Sequence, residues 1–266
     1  MIPAVIEAAE LLWRHRCAGT TLSGLPERLR PLDEAGGHAI QAELPTVSGL
    51  PVVGWKIAAT SAAGQAHINV SGPLPGRILS RFVHEVGEAV SLAGNRMRVV
   101  EPEFAFRLGA DLPPQAAPRS QQEVLAGVTT LHPAFEVPDS RYTDFTVAGE
   151  AQLLADDACC GEFVFGVAAP EAWREQDLAA ARVQASVFDA AGSERYRRDG
   201  DGSAALGDPR AALTWLVNAL SARGISLAAG QFVSTGTCMV PLAITPGDRV
   251  LADYGCFGKI ELRLAP

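Results

Sequence analysis

The sequence predicts an α+β fold built on a mixed, largely antiparallel sheet, and three observations support this prediction. Helical patterns occupy most of residues 1–50. From Val52 onward, short apolar runs alternate with glycine and proline, which is typical of strands joined by turns. One later segment, near residues 208–223, returns to a helical pattern. Strands therefore dominate the middle and end of the chain, and helices are confined to its beginning and to one late insertion.

Two helices are predicted ahead of the first strand. Between residues 4 and 17 the apolar side chains fall on one stripe that includes Val5 and Leu12, while Glu7 lies off this stripe. A second helical pattern covers residues 33–43. The connection between them is polar and contains proline, so we expect an irregular segment there.

The central part of the chain contains six segments that we interpret as strands and hairpins, because each combines apolar runs with turn residues. In order they read "VVGWKIAAT", "GPLPGRIL", "MRVVEPEFAFRLG", "PAFEVPDSRY", "LLADDACCGEFVFG" and "ARVQASVFDAAGSERYRRDG". The late helix has Asp208 as a potential cap, Pro209 at its first position and Gly224 after its last turn. The remaining segment predicts further strands, separated by "TPGD" and "DYGCFG" turns.

Length and composition restrict the classes of function. A chain of 266 residues with 48% hydrophobic side chains can bury a full core, so we predict one domain over residues 1–266, mostly helical in 1–50 and with a strand-rich core in 51–266. The net charge of -8 argues against nucleic acid or an anionic membrane as a partner. No targeting pattern is visible and the five cysteines lack CxxC spacing, so we predict a cytoplasmic location with reduced thiols.

The segment "VVEPEFAFRLG" places two carboxylates on one face of a strand. Glu101 and Glu103 share one face, and Phe104 and Phe106 share the other, which we assign to the core. One interpretation is that the glutamate face is exposed to solvent, as in an ordinary half-buried strand. The other is that a cation lies between the carboxylates, because neighbouring like charges repel unless a positive charge separates them.

Glu136 supplies a third carboxylate. It lies in a short apolar run that would otherwise be a buried strand. Such an acid can lie at an exposed edge or pair with an arginine such as Arg141. Taken together with Glu101 and Glu103, it favours a site of three carboxylates for Mg²⁺ or Mn²⁺, since hard divalent ions prefer oxygen ligands.

Lys56 and a later group of hydroxyls could complete such a site. Lys56 lies between apolar neighbours in "VVGWKIAAT", so its side chain must either reach solvent or face a charged partner. In the second case it would supply a cation for an anionic substrate, or a proton donor. The segment "STGTCMVP" offers the hydroxyls of Ser234, Thr235 and Thr237 and the backbone of Gly236 as donors for a substrate carboxylate.

With these residues, the chain resembles the 2-oxopent-4-enoate hydratase and 4-oxalocrotonate decarboxylase group of the fumarylacetoacetate hydrolase superfamily. The resemblance covers nearly the whole length. It rests on an ordered set of segments: "EAGGHAIQ", "VVGWKIAATS", "VEPEFAFRLGADL", "PAFEVPDSRY", "LLADDACCGEFVFG" and "TGTCMVPLAITPGDRVLADYGCFGKIEL".

The resemblance implies a mixed β-roll with flanking helices, assembled as a dimer or a larger ring. It implies that Glu101, Glu103 and Glu136 bind a divalent metal, Mg²⁺ or Mn²⁺, and that Lys56 lies in the pocket, where we predict it to be the catalytic residue. We predict substrate contacts from the following residues: Ser61, Leu74, Cys159, Thr235, Gly236 and Thr237.

Two departures from the family pattern concern the reaction. Hydratases of the group carry an aspartate in a "PDFG" segment that is used in the proton chemistry, whereas this chain has "GPLPGR" with Leu74 at the aligned position. Relatives read "ADNAS" where this chain reads "ADDAC", so Cys159 replaces a serine hydroxyl. Both departures argue against hydration as the reaction, and neither changes the three carboxylates.

The resemblance implies a lyase acting on a small 2-oxo or 2-hydroxydienoic acid, as in the meta-cleavage catabolism of aromatic compounds. A 2-oxo acid can bind a divalent ion through one carboxylate oxygen and its C2 oxygen, and the ion stabilises negative charge on the latter. The predicted reaction adds water to a 2-hydroxy-2,4-dienoate and gives a 4-hydroxy-2-oxo acid. Decarboxylation of 4-oxalocrotonate or a related 2-oxo acid is the first alternative, and C–C bond hydrolysis or a silent metal-binding scaffold is the second.

Overall fold

The computed structural model of the chain describes residues 2–266. Strands dominate the middle and end of the described residues, as predicted, but the expectation that helices are confined to the beginning and one late insertion is wrong, because residues 62–68, 121–126 and 150–155 are also helical. The α-helices are α1 Ile2–Ala18, α2 Glu34–Ala42, α3 Leu44–Ser48, α4 Ala62–Ile68, α5 Gln121–Ala126, α6 Glu150–Ala155 and α7 Pro209–Ser221. The strands are β1 Val52–Ala58, β2 Leu74–Leu79, β3 Val83–His84, β4 Ala89–Val90, β5 Val99–Leu108, β6 Val128–Val137, β7 Glu162–Phe165, β8 Arg182–Phe188, β9 Glu194–Asp201, β10 Phe232–Thr237, β11 Leu242–Ala243, β12 Arg249–Asp253 and β13 Lys259–Leu264.

The strands form two sheets. The larger has the order β2-β1-β10-β5-β6-β7-β3, with β11 paired to β5, and the smaller has the order β4-β13-β12-β8-β9. Most neighbouring strands are antiparallel, whereas β1 with β10, β3 with β7 and β4 with β13 are parallel. The predicted α+β class with a mixed, largely antiparallel sheet is therefore confirmed.

Helices α1, α2 and α7 lie where the sequence patterns place them. Asp33 caps α2 by accepting a hydrogen bond from the N–H of Gly36, and Asp208 caps α7 by accepting one from the N–H of Arg210. Pro209 is the first residue of α7, where its missing N–H costs nothing. These caps satisfy backbone donors that a helix cannot satisfy internally, which is why the sequence signals are reliable here.

The interpretation of "LLADDACCGEFVFG" as strand structure is wrong for its first half. Residues Glu150–Ala155 form α6, a turn follows, and only Glu162–Phe165 form a strand. Leu153 and Leu154 of α6 are buried in a cluster that also contains residues of α1 and α2. A short apolar run does not distinguish a buried helix from a buried strand, and only this packing decides between them.

The main hydrophobic core contains side chains from both sheets and from α7. It includes the even-numbered face of β5, where Phe104 and Phe106 are fully buried, as predicted. The other face of the larger sheet is covered in part by the N-terminal helices, through a second cluster that contains Leu12 and Ile40. The odd-numbered face of β5 therefore lies on the side of the sheet that these helices cover in part.

The larger sheet is curled rather than flat. Ile78 of β2 and Phe163 of β7 belong to one buried cluster together with Cys160, although four strands separate β2 from β7 in the sheet order. Curling of this kind brings side chains from distant strands together on the concave face. Within residues 2–266, no helix has the length and apolar character needed to cross a membrane.

Candidate metal centre

Three carboxylates meet on the concave face of the larger sheet. Glu101 of β5 lies directly opposite Glu136 of β6, and Glu103 follows two residues later on the same face of β5. One carboxylate oxygen from each residue lies within 4.8 Å of the others. Glu103 and Glu136 are 1% and 0% exposed, whereas Glu101 is partly exposed. A solvent-facing strand does not account for this burial, so the first interpretation of the glutamate face is wrong.

Strand β10 holds the carboxylate of Glu103 in place. Oε2 of Glu103 accepts hydrogen bonds from Ser234 Oγ at 2.5 Å and from the N–H of Gly236 at 2.9 Å. Oε1 of Glu103 is buried and has no hydrogen-bond partner. One oxygen is therefore fixed by the protein, and the other is left free to accept a ligand.

Glu136 is held in a similar way from the opposite side. Its Oε1 accepts a hydrogen bond from the N–H of Gly161 at 3.3 Å and lies 3.2 Å from Nζ of Lys56. Its Oε2 is buried without a hydrogen-bond partner. The cation beside Glu136 is thus Lys56 rather than Arg141, whose guanidinium lies 3.3 Å from Asp139.

The two unpartnered oxygens are acceptors that a cation could satisfy. A buried acceptor without a donor costs about 1–3 kcal/mol, and here two such oxygens belong to the same group of carboxylates. Hard divalent ions such as Mg²⁺ prefer carboxylate oxygens and satisfy several of them at once. Glu101, Glu103 and Glu136 therefore fit the requirements of one divalent cation.

Burial and mutual repulsion raise the pKa of these carboxyl groups. For Glu101, burial and then the charge of Glu136 raise the pKa to about 7, against the opposing effect of Lys56. For Glu103, burial and the charges of Glu136 and Glu101 raise the pKa well above its ordinary value. For Glu136, burial also raises the pKa, and the nearby Lys56 counters it. Positive charge within the cluster would favour the ionised forms.

Lys56 is buried and faces charged partners. It is 2% exposed, and its Nζ donates to the carbonyl oxygen of Ala158 at 3.0 Å while lying 3.2 Å from Glu136. Burial disfavours the ammonium, but the charges of Glu136 and Glu101 outweigh it and raise the pKa of Lys56 above its ordinary value. The alternative of a side chain that reaches solvent is wrong, and Lys56 is a positively charged group within the site.

The hydroxyl groups of β10 point in different directions. Ser234 donates to the carboxylate of Glu103, as described above. Thr235 is fully buried, and its Oγ1 donates to the carbonyl oxygen of Phe104 at 2.8 Å. Oγ1 of Thr237 donates to the carbonyl oxygen of Met239 at 2.8 Å. Both threonine hydroxyls are therefore engaged by the main chain, and their contact with substrate stays a prediction that this geometry does not favour.

Gly236 occupies a position that excludes a side chain. Its φ is +100°, a left-handed value that favours glycine, and its N–H donates to Glu103. A Cβ at this position would lie 2.3 Å from Oγ1 of Thr60, which is itself buried. The absence of a side chain allows the peptide to approach Thr60 and the carboxylate at the same time.

Ser61, Leu74 and Cys159 have different surroundings. Oγ of Ser61 accepts a hydrogen bond from the N–H of Gly64 at 3.1 Å and so caps α4. Leu74 lies on the same face of β2 as Lys56 does on β1, but it is 2% exposed and belongs to the cluster that also contains Cys159. Burial raises the pKa of the Cys159 thiol to about 12, so this thiol is neutral. Substrate contacts from these three residues stay predictions.

The sequence interpretation missed a turn that contributes two backbone groups to the site. Residues 157–159 all have positive φ, and they precede β7. The carbonyl oxygen of Ala158 accepts from Lys56, and the N–H of Gly161 donates to Glu136. The available signal is weak: an aspartate, which tolerates the left-handed region better than most residues, begins a run of small residues.

Comparison with known proteins finds relatives over most of the chain. No protein-family model matches it. A 2-hydroxyhexa-2,4-dienoate hydratase of Comamonas testosteroni is 37% identical over 204 residues, which cover 76% of this chain and 74% of the relative. A 2-keto-4-pentenoate hydratase of Dechloromonas aromatica is 31% identical over 262 residues, which cover 97% of this chain and 96% of the relative.

Solved structures share the fold. The 4-oxalocrotonate decarboxylase from Pseudomonas putida G7, complexed with magnesium and adipate, has a TM-score of 0.87 and 25% identity, with 99% of this chain and 98% of that chain covered. A fumarylacetoacetate hydrolase from Exiguobacterium antarcticum has a TM-score of 0.58 at 17% identity, with 81% and 76% covered. The curled mixed sheet is thus the fold of fumarylacetoacetate hydrolase-type proteins. The chain belongs to the group of 2-keto-4-pentenoate hydratases and 4-oxalocrotonate decarboxylases.

Proposed function

We propose that this chain is a hydratase that depends on Mg²⁺ or Mn²⁺ and adds water to a 2-hydroxy-2,4-dienoate to give a 4-hydroxy-2-oxo acid. The observation that carries the proposal is the group of three carboxylates with two unpartnered buried oxygens beside a charged lysine. The 37% identity to a dienoate hydratase supports the same substrate class.

Glu101, Glu103 and Glu136 would hold the metal. When bound, a divalent cation supplies Lewis acidity to the C2 oxygen of a 2-oxo acid. The directions of two ligands are set in advance by the protein, because Ser234 fixes the carboxylate of Glu103 and Gly161 fixes that of Glu136. Ligands that are fixed before binding need little reorganisation when the cation and the substrate arrive.

Lys56 would orient the anionic substrate and move a proton. Its raised pKa keeps it an ammonium at neutral pH, so it acts as a hydrogen-bond donor or an acid rather than as a base. In the reaction, the C2 hydroxyl loses its proton while C5 gains one, which gives an enone. Water then supplies a hydroxyl group to C4 and a proton to C3, so one water molecule is consumed.

A steady-state assay with 2-hydroxypenta-2,4-dienoate and Mg²⁺ tests the proposal. We expect the absorbance of the dienoate to fall and 4-hydroxy-2-oxopentanoate to appear. Glu101→Gln should abolish this change, whereas Glu171→Gln, at a glutamate whose side chain is 73% exposed, should not. A wild-type protein that binds Mg²⁺ but forms no hydroxylated product would contradict the proposal.

Decarboxylation is the second candidate, and a specific observation favours it. The position aligned with the proton-handling aspartate of hydratases is Leu74, which is buried in apolar surroundings. The structural likeness to a 4-oxalocrotonate decarboxylase extends over 99% of the chain. Release of CO₂ from 4-oxalocrotonate, without hydration of 2-hydroxypenta-2,4-dienoate, would establish this reaction in place of hydration.

Four further properties belong to the proposed function: the substrate, the absence of other partners, the assembly and the cellular location. We propose a small 2-oxo or 2-hydroxydienoic acid as the substrate, no nucleic acid or membrane partner, a homo-oligomeric assembly and a cytoplasmic location. The net charge of -8 supports the absence of polyanionic partners. Light scattering at micromolar concentration tests the assembly, and a monomer in solution would contradict it.

A further inference from the structure

We infer that Asp157 and Arg16 are positioning residues for Lys56 and Glu136, acting through the main chain of residues 157–161. The expected change in kcat rests on the proposed function, whereas the expected changes in Lys56 reactivity and in Mg²⁺ affinity rest on the geometry of the site. Neither Asp157 nor Arg16 makes a hydrogen bond to Lys56 or to the three glutamates. Their effect on the site would therefore be indirect.

The main chain of residues 157–161, here called the site turn, has an unusual conformation. Asp157, Ala158 and Cys159 have φ values of 60°, 54° and 57°. Consecutive left-handed residues are disfavoured for L-amino acids, so the surrounding structure must hold them in place. Backbone of this kind tends to be found where a functional geometry requires it.

The site turn determines how Lys56 and Glu136 meet. The carbonyl oxygen of Ala158 accepts from Nζ of Lys56 at 3.0 Å, and the N–H of Gly161 donates to Oε1 of Glu136 at 3.3 Å. The same Oε1 lies 3.2 Å from Nζ of Lys56. A displacement of the turn would therefore change the direction of the lysine and of one proposed metal ligand together.

Asp157 attaches the beginning of the turn to β2. Its Oδ1 accepts a hydrogen bond from the N–H of Arg77 at 2.7 Å. The turn lies so close to β2 that a Cβ at Gly76 would be 2.6 Å from the carbonyl oxygen of Asp157. The hydrogen bond fixes this contact, and only a residue with a side-chain acceptor that tolerates positive φ can make it.

Arg16 attaches the end of the turn to α1. Its Nη2 donates to the carbonyl oxygen of Gly161 at 3.2 Å, and its Nη1 lies 4.0 Å from Oδ2 of Asp157. The guanidinium stacks on the ring of Phe82, 3.7 Å from its centroid, which limits the positions it can take. The peptide of Gly161 is thus held by Arg16 on one side and offers its N–H to Glu136 on the other.

The environment of Lys56 can be measured by chemical labelling, without an activity assay. It contains two lysines, Lys56 and Lys259, and the side chain of Lys259 is 62% exposed. Labelling of the metal-free protein with an amine reagent, followed by peptide mass spectrometry, measures the reactivity of Lys56 against Lys259 as an internal reference. Titration calorimetry with Mg²⁺ measures the metal affinity of the same variants.

The decisive variants are Asp157→Ala and Asp157→Asn. The first removes the acceptor for the N–H of Arg77, and the second keeps an acceptor and the tolerance of positive φ. We expect Asp157→Ala to weaken Mg²⁺ binding and to lower kcat by about 10-fold to 100-fold, as is typical for residues that orient metal ligands. Lys56 should also label faster relative to Lys259, and Asp157→Asn should restore wild-type values for all three measurements.

Asp248→Ala is the matched control. Asp248 is 3% exposed and forms an ion pair with Arg195, so it is also a buried aspartate, but it lies next to the smaller sheet. It should lower stability without changing Lys56 labelling or Mg²⁺ affinity. If Asp157→Ala behaves like this control, or if Asp157→Asn is as impaired as Asp157→Ala, the inference is overturned.

Arg16→Met covers the case in which Asp157→Ala does not fold. Methionine keeps an unbranched apolar side chain next to Phe82 and removes the hydrogen bond to Gly161. We expect faster labelling of Lys56 and weaker Mg²⁺ binding, and unchanged values would overturn the role of Arg16. A wild-type protein without hydratase or decarboxylase activity would refute the proposed function alone, because labelling and Mg²⁺ affinity would still decide this inference.

Discussion

Nζ of Lys56 lies 3.2 Å from Oε1 of Glu136, although these residues belong to strands that are three positions apart in the larger sheet. Neighbouring strands are about 4.8 Å apart, so a flat sheet would place the two backbones about 14 Å from each other. The curl of the sheet brings the two side chains together over β10 and β5. The result is a buried ion pair next to the candidate metal ligands.

The first prediction concerns the stability of this pair. Lys56→Met leaves Glu136 without its nearest cation, and removal of one partner of a buried pair costs about 3–5 kcal/mol. We expect the free energy of unfolding of the metal-free protein to fall by about that amount, and Mg²⁺ to restore part of it. Lys259→Met removes an exposed pair with Asp253 and should cost less than about 1 kcal/mol. Equal losses in the two variants, measured by urea denaturation, would contradict the prediction.

The second prediction concerns the pH dependence of metal binding. Burial and Glu136 raise the pKa of Glu101 to about 7, so Glu101 holds a proton below that pH and a cation must displace it. The Kd for Mg²⁺ should therefore rise as the pH falls from about 8 to about 6, by up to about tenfold for each pH unit below 7. Calorimetry at both pH values, in buffers of different ionisation enthalpy, should detect proton release. A pH-independent Kd, or an equally steep dependence in Glu101→Gln, would argue against this account.

The third prediction separates the two neighbouring hydroxyls of β10. Ser234→Ala removes a donor to Glu103, and loss of such a contact typically weakens metal affinity by about tenfold or more. Thr235→Val removes a buried hydrogen bond to Phe104 and should lower stability by about 1 kcal/mol while leaving Mg²⁺ affinity unchanged. If Thr235→Val instead raises the KM for substrate with normal stability, the sequence-based assignment of Thr235 to substrate binding is correct.

The fourth prediction concerns Gly236, whose N–H binds Glu103. Alanine at this position would be strained by a φ of +100° and would place its Cβ 2.3 Å from Oγ1 of Thr60. We expect Gly236→Ala to lower stability and to abolish the rise in melting temperature that Mg²⁺ produces. Gly247→Ala is the control. Alanine there would be similarly strained by a φ of +82°, but its Cβ would lie 3.4 Å from Cβ of Ala190, an ordinary van der Waals distance. An unchanged Mg²⁺ response in Gly236→Ala would show that this peptide does not set the geometry of Glu103.

Several features of the protein followed from local sequence. The alternation in β5 separates Phe104 and Phe106 from Glu101 and Glu103, because a strand has a period of two wherever it lies. The caps of α2 and α7 are similarly local, since each satisfies backbone donors within three residues of itself. Each of the six segments interpreted as strands contains a strand for the same reason. The exception within them is the beginning of "LLADDACCGEFVFG", which belongs to α6, because its apolar run was compatible with either a helix or a strand.

Local sequence patterns were enough to identify the chemical groups of the site: three carboxylates, one lysine and the hydroxyls of β10. Contacts among these groups arise only in the folded chain. The parallel pairing of β1 with β10 places Lys56 beside Ser234, and the curl of the sheet then carries its ammonium to Glu136. The left-handed turn at residues 157–159 adds backbone partners that no side-chain pattern reveals. These contacts join residues far apart in sequence, and they depend on strand order and curvature, which a local pattern does not encode.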